Sequence, residues 1–171
     1  MSKVGPEARS YLPIEREDLI ALAEIARRDR EDYFQRKPAI AELYAQRVLC
    51  IALCQGAALH FIDGETGIND FDVYTFYRVH PQKQWYPRRI KSYDFGNPKF
   101  GHSVDRPDFS GRRVDCLGRA IDAGEGEDVV SALRRYLQAG KTKTARLLAA
   151  KAVVLLEPHC GTIVWPVEAE R

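Results

Sequence analysis

Long apolar runs are missing from this chain. No stretch approaches the twenty or so consecutive apolar residues that a membrane-spanning helix requires, and the first nine residues, Met1 to Arg9, are polar with no apolar segment behind them, so neither a transmembrane helix nor a secretion signal is expected. Charge of one sign is also lacking. The 26 basic and 24 acidic residues leave a net charge of +2, which excludes a globally basic nucleic-acid binder, and any such site has to be local. Cysteine is sparse and unpatterned. Cys50, Cys54, Cys116 and Cys160 show none of the Cys-x-x-Cys or Cys/His spacings of a zinc site or a redox motif, and they read as reduced, buried thiols. His60, His80, His102 and His159 lack ligand spacing and receive no role. Internal repeats and low-complexity tracts are absent. A length of 171 residues suits one well-buried core rather than two domains. The expectation is a cytoplasmic, single-domain protein without a membrane anchor.

What the chain does have is a paired acid in an apolar setting. Asp70 and Asp72 stand at i and i+2 beside the run Phe71, Val73, Tyr74, Phe76 and Tyr77. On a β-strand this spacing places both carboxylates on one face while Phe71 and Val73 point the other way. Two like charges so close resist ionising together unless a cation sits between them. The pair therefore reads as an oxygen-rich seat for a divalent ion such as Mg²⁺. Asp115, in the strand-like run Val114 to Leu117, is positioned to complete the cluster from a neighbouring strand. Arg112 and Arg113 precede it, so a structural ion pair is its plainer alternative.

The surrounding pattern predicts an α+β domain with a small mixed sheet and helices packed on it. An amphipathic helix is expected over residues 15–36, with Leu19, Leu22, Ala23, Ile25 and Ala26 near helical spacing. Pro38 suits the first turn of a second helix that turns Ile40, Leu43 and Tyr44 inward. Val48 to Cys54 is apolar on both parities, as a buried central strand is. Gln55-Gly56-Ala57 ends it and leads into a short helix, Ala57 to Ile62, before the Asp63-Gly64 turn. The acid-bearing strand runs from Phe71 to Val79. His80 to Gly111 reads as a long, functional loop broken by prolines and glycines. A strand at Arg112–Leu117, a helix at Glu125–Ala139 stopped by Gly140, a further helix at Thr142–Leu156 and a short strand at Thr162–Val167 complete the chain.

In this order the pieces resemble the nucleotidyltransferase superfamily of the polymerase-beta type, in its minimal form. The matching residues are Leu53-Cys54-Gln55-Gly56-Ala57 for the strand and glycine turn, Asp70-Phe71-Asp72-Val73 for the acid pair, and Val114-Asp115-Cys116-Leu117 for the third acid. They cover residues 48–118. The resemblance implies that Asp70, Asp72 and Asp115 hold one or two Mg²⁺ ions, with Asp115 assisting deprotonation of an acceptor hydroxyl. It implies that Gln55, Gly56 and Ala57 bring backbone N–H groups to the phosphates of an NTP. The implied activity is transfer of a nucleoside monophosphate to a hydroxyl of a protein, a small molecule or an RNA end, beside a helical partner protein of the toxin–antitoxin kind. Ala57 stands where a serine usually follows the glycine, which leaves open a non-catalytic nucleotide- or RNA-binding module. A metal-dependent phosphodiesterase or nuclease is a third reading, because an aspartate cluster serves hydrolysis equally well.

Local charge adds two candidates. Between His80 and Arg113 eight basic residues face three acidic ones, with Trp85, Tyr86, Tyr93, Phe95 and Phe100 available to stack on bases. Lys99 in this segment is the expected phosphate contact. Lys141, Lys143, Arg146 and Lys151 are candidates for the pyrophosphate end of a nucleotide, or else an exposed basic face.

Overall fold

The computed structural model describes residues 8–83 and 89–167. Trp85, Tyr86 and Arg88 lie outside the described residues. Helix α1 (Arg16–Arg36) starts where the Asp18 carboxylate accepts the Glu15 backbone N–H at 2.8 Å, an N-terminal cap encoded three residues apart. Helix α2 (Pro38–Tyr44) has its proline in the first turn, as expected. Strand β1 (Val48–Cys54) runs directly into α3 (Gln55–Asp63), and β2 (Phe71–Arg78) carries Asp72 near its start, with Asp70 immediately before the strand. Then come β3 (Ile90–Asp94), a single 3₁₀ turn at Pro98–Phe100, and β4 (Arg113–Ile121). Helices α4 (Val129–Ala139) and α5 (Lys143–Ala149) precede β5 (Val153–Glu157) and β6 (Ile163–Trp165).

The six strands form one sheet in the order β3-β4-β2-β1-β5-β6. Only β2 and β4 run parallel; the other neighbours are antiparallel. The molecule is thus the expected α+β arrangement, a mixed sheet with five helices on it. Among the described residues no helix is long and apolar enough to cross a membrane.

Period-2 alternation sorts the side chains into two cores. Toward α1 and α3, Ile51, Leu53, Phe71, Val73, Val114 and Cys116 pack on Leu19, Leu22 and Ala58. Toward α4 and α5, Ala52, Tyr74, Phe76 and Leu117 pack on Leu133, Leu137 and Leu148. Helix α4 is fixed at both ends. The Asp128 carboxylate accepts the Ser131 N–H at 3.0 Å, and Gly140 closes the helix at φ 56°.

Two expectations need correction. The segment 142–156, read as one helix, is α5 followed by a turn and then β5, so the C-terminal part 125–157 is not wholly helical. Strand β5 lies between β1 and β6 and is buried on both faces, and a strand apolar on both parities carries no period-2 signature. The segment 80–111, read as a loop, supplies the edge strand β3. Its alternation is hidden because Ile90, which ought to mark a buried position, is 68% exposed.

Candidate functional site

Asp72 on β2 is the direct register partner of Asp115 on β4, and in parallel pairing such partners share a face. Asp70 lies two residues before Asp72 and Arg113 two before Asp115, so three acids and one arginine collect at one end of one sheet face. This is the face toward α4 and α5. A cleft of about 220 Å³ opens there, lined by Gln55, Asp72, Tyr74, Asp115, Arg119, Lys143 and Thr144 among others.

The charges are unequally compensated. Arg113 Nη2 donates to Asp70 Oδ2 at 2.8 Å, Nη1 donates to Asp105, and Nε lies 3.2 Å from Asp115 Oδ1. Ser92 on β3, opposite Asp115 in register, donates its hydroxyl to the same Oδ1 at 2.6 Å. Asp72 has no hydrogen-bond or ion-pair partner among the described residues. Its carboxyl is pushed up to about 7, first by burial and then by the charges of Asp70 and Asp115, against the opposing pull of Arg113 and Lys151.

The strand-to-helix turn departs from the expected glycine bend. Gln55, not Gly56, holds the left-handed conformation, at φ 63°, a strained state for a residue with a side chain. Its N–H donates to Ala152 O at 3.0 Å, tying the start of α3 to the start of β5. Gly56 lies in the first turn of α3, where a Cβ would come within 3.9 Å of Lys151 Nζ. Ala57 is buried in the core beneath α1, so its side chain faces away from the cleft and Gln55 is the turn residue whose side chain lines it. The absent serine hydroxyl at position 57 is therefore no loss to the cleft.

The opposite wall is cationic. Arg119 Nε donates to Thr144 Oγ1 at 3.1 Å and Nη1 to Gly118 O at 2.7 Å, which fixes the guanidinium at the cleft. Lys143 opens α5, whose N-terminus is capped by Thr142 Oγ1 accepting the Ala145 N–H at 3.0 Å. Of the four basic residues expected near a pyrophosphate, Lys143 lines the cleft and Lys151 stands over Gly56. Arg146 turns back to Gly140 O at 2.8 Å, and Lys141 is outside the cleft lining.

Lys99 is also elsewhere. Its ammonium donates to Asp18 at 2.8 Å, with Glu15 3.8 Å away, and these α1 carboxylates hold its pKa above the ordinary lysine value against the opposing effect of burial. It serves the cap of α1 instead of a phosphate. Arg119 and Ser92 were not anticipated from sequence. Arg113 was visible from sequence as one of two arginines preceding Asp115 and as one of the eight basic residues of the 80–113 segment.

Among the described residues no group of three or more His, Cys, Asp or Glu side chains gathers in a metal-holding arrangement. The donor set nevertheless suits a hard divalent cation. It is all carboxylate oxygen, and it includes one partly buried carboxylate, Asp72, with no hydrogen-bond or ion-pair partner among the described residues. No family model matches the chain, and no curated protein or solved structure matches it either.

Proposed function

We propose that the protein is a metal-dependent nucleotidyltransferase, moving a nucleoside monophosphate from an NTP to an acceptor hydroxyl. The observation that carries this reading is the partnerless Asp72 carboxylate beside Asp115, facing a cleft that Arg119 and Lys143 also line. A cation and a polyanion bound together match that division of charge; either alone matches half of it.

Asp70, Asp72 and Asp115 are the residues that would hold Mg²⁺, which when bound neutralises phosphate charge and polarises the phosphoryl group. Arg119 and Lys143 present fixed and mobile positive charge to the phosphates. Lys151 and the first N–H groups of α3 add to it at a backbone left bare by Gly56. Ser92 keeps Asp115 Oδ1 in place. Asp115 is the acid that the resemblance would have assist deprotonation of the acceptor hydroxyl. The apolar part of the wall, Tyr74, Leu117, Ile90 and Leu147, is suited to the base or the acceptor.

Arg113 engages Asp70 and Asp115, and that specific contact favours a second reading, a nucleotide-binding module without transfer. Incubation with Mg²⁺ and each α-labelled NTP, in the presence of RNA, protein and small hydroxyl acceptors, separates the two. Transfer of label that falls by about a thousandfold or more in Asp72→Asn supports the enzyme, a loss of the size expected for a group acting at the reacting atoms. Calorimetric NTP binding without transfer supports the module. Hydrolysis of a nucleic acid with no NTP requirement points to a nuclease, and full transfer by Asp72→Asn removes the site.

A further inference from the structure

We propose that Arg113 is the resident cation of the acid cluster: its guanidinium, which with Asp70 and Asp105 lines a cavity separate from the cleft of Asp72 and Asp115, holds the Asp70 and Asp115 carboxylates in the metal-free protein and yields them to a divalent cation, retaining Asp105 as its anchor. The inference rests on the metal-dependent reading above and deepens it, since it says what occupies the carboxylates before the metal does.

One guanidinium faces three carboxylates from three parts of the chain. Asp70 precedes β2, Asp115 lies within β4, and Asp105 belongs to the connection before β4. The contacts differ in quality. Those to Asp70 and Asp105 are hydrogen bonds, whereas Nε beside Asp115 is buried and makes none despite the 3.2 Å approach. A single positive charge serving three negative ones holds none of them fully. A divalent ion held by Asp70 and Asp115 would draw on carboxylates that Arg113 now engages, so the two cations would compete for the same two groups. Such competition is reciprocal: whatever Arg113 contributes to holding the carboxylates is subtracted from metal affinity.

The arrangement also gives the arginine somewhere to go. Asp105 is 59% exposed at the outer side of the cluster, so the guanidinium keeps one carboxylate when it leaves the other two. Asp115 does not depend on Arg113 for its position, because the Ser92 hydroxyl holds Oδ1 from the neighbouring strand. Asp72 touches neither and stays in place throughout.

The test uses Mn²⁺ alone as the probe, with the full chain and no nucleotide, and measures free Mn²⁺ by electron paramagnetic resonance alongside melting in chelator and in Mn²⁺. Arg113→Gln is expected to bind Mn²⁺ about tenfold tighter than the parent, the size of an ordinary coupling between two ligands of one site. It is also expected to melt lower in chelator and to gain more from Mn²⁺. Lys151→Gln removes a charge that acts on Asp72 only through space, and it should change affinity by about twofold or less. Asp105→Asn should weaken binding several-fold in the parent, by strengthening the grip of Arg113 on the other two acids, and should have no effect in the Arg113→Gln background. Should Arg113→Gln fail to fold, Arg113→Lys, with its charge kept and its fork removed, is expected to fall between the parent and tenfold. The proposal is overturned if Arg113→Gln or its lysine counterpart binds no tighter than the parent, or if the Asp105→Asn effect persists without the arginine. Equal Mn²⁺ binding in parent and variant removes the role of Arg113 alone; no Mn²⁺ binding in either removes the metal-dependent reading with it.

Discussion

Two aspartates on opposite faces of one sheet are treated in opposite ways. Asp29 on α1 is 5% exposed and fully partnered: Arg89 donates to both carboxylate oxygens, Nη1 at 2.8 Å, and Tyr93 adds its hydroxyl at 2.7 Å. The same arginine lies over the Tyr33 ring at 4.2 Å. Asp18 is likewise answered by Lys99. Across the sheet, Asp72 is partly buried between two further acids with no hydrogen bond at all. A fold that neutralises its structural carboxylates on the α1 face leaves one exposed to repulsion on the other. Buried charge without compensation is the costly state, and its confinement to a cleft with a cationic wall is what separates a site from a scaffold.

Substitution can break this contrast at either end. Asp29→Ala takes away the carboxylate to which both Arg89 and Tyr93 donate, and a loss of about 3–5 kcal/mol in urea unfolding is expected, the range for removing one member of a buried pair. If the loss is below about 1 kcal/mol, the closed face is not held by that pair. The other aspartate responds to pH. Its carboxyl stands at about 7 in the folded protein against 3.8 for the ordinary group, so between these values the folded state binds more protons than the unfolded one. Metal-free stability attributable to Asp72 is therefore greatest below pH 4 and is lost as pH rises toward 7. The slope is at most about 1.4 kcal/mol per pH unit, and there is no further change above. Asp72→Asn should lack this decline and gain on the parent steadily across the window, as chemical unfolding at a series of pH values will show; parallel curves would remove the strain. The smallest effect belongs to the cap of α5. Thr142→Ala deprives the Ala145 N–H of its acceptor and should cost about 1 kcal/mol by thermal unfolding. It should also weaken NTP binding modestly through Lys143 and Thr144, whereas the α1 face should be unaffected.

The same contrast explains how much was legible in the sequence. The facing of Asp72 away from Phe71 and Val73 follows from the parity of a strand, whereas its place beside Asp115 comes from the parallel pairing of β2 with β4, which parity does not give. Strand β1 and helix α1 were readable for similar reasons. Strand β5 was not, since Val153 to Leu156 is buried on both faces and presents no period, and β3 was hidden by an outward-facing Ile90. The pairing of Lys99 with Asp18, eighty-one residues away, was not legible because its neighbours in sequence gave no hint of it. Gln55 illustrates a different limit. Sequence favours glycine for a left-handed residue, and only the three-dimensional fit of β1 to β5 forces a glutamine into that position while the adjacent Gly56 stays helical.

The bond from the Gln55 N–H to Ala152 O also bears on how the molecule is made. It joins positions about a hundred residues apart, so non-local closure is built into the site itself. During synthesis the apolar rim of β1, from Ile51 to Cys54, emerges long before the partner strand that will cover it. Until translation delivers that strand, the nascent chain offers an open template for pairing with its own kind.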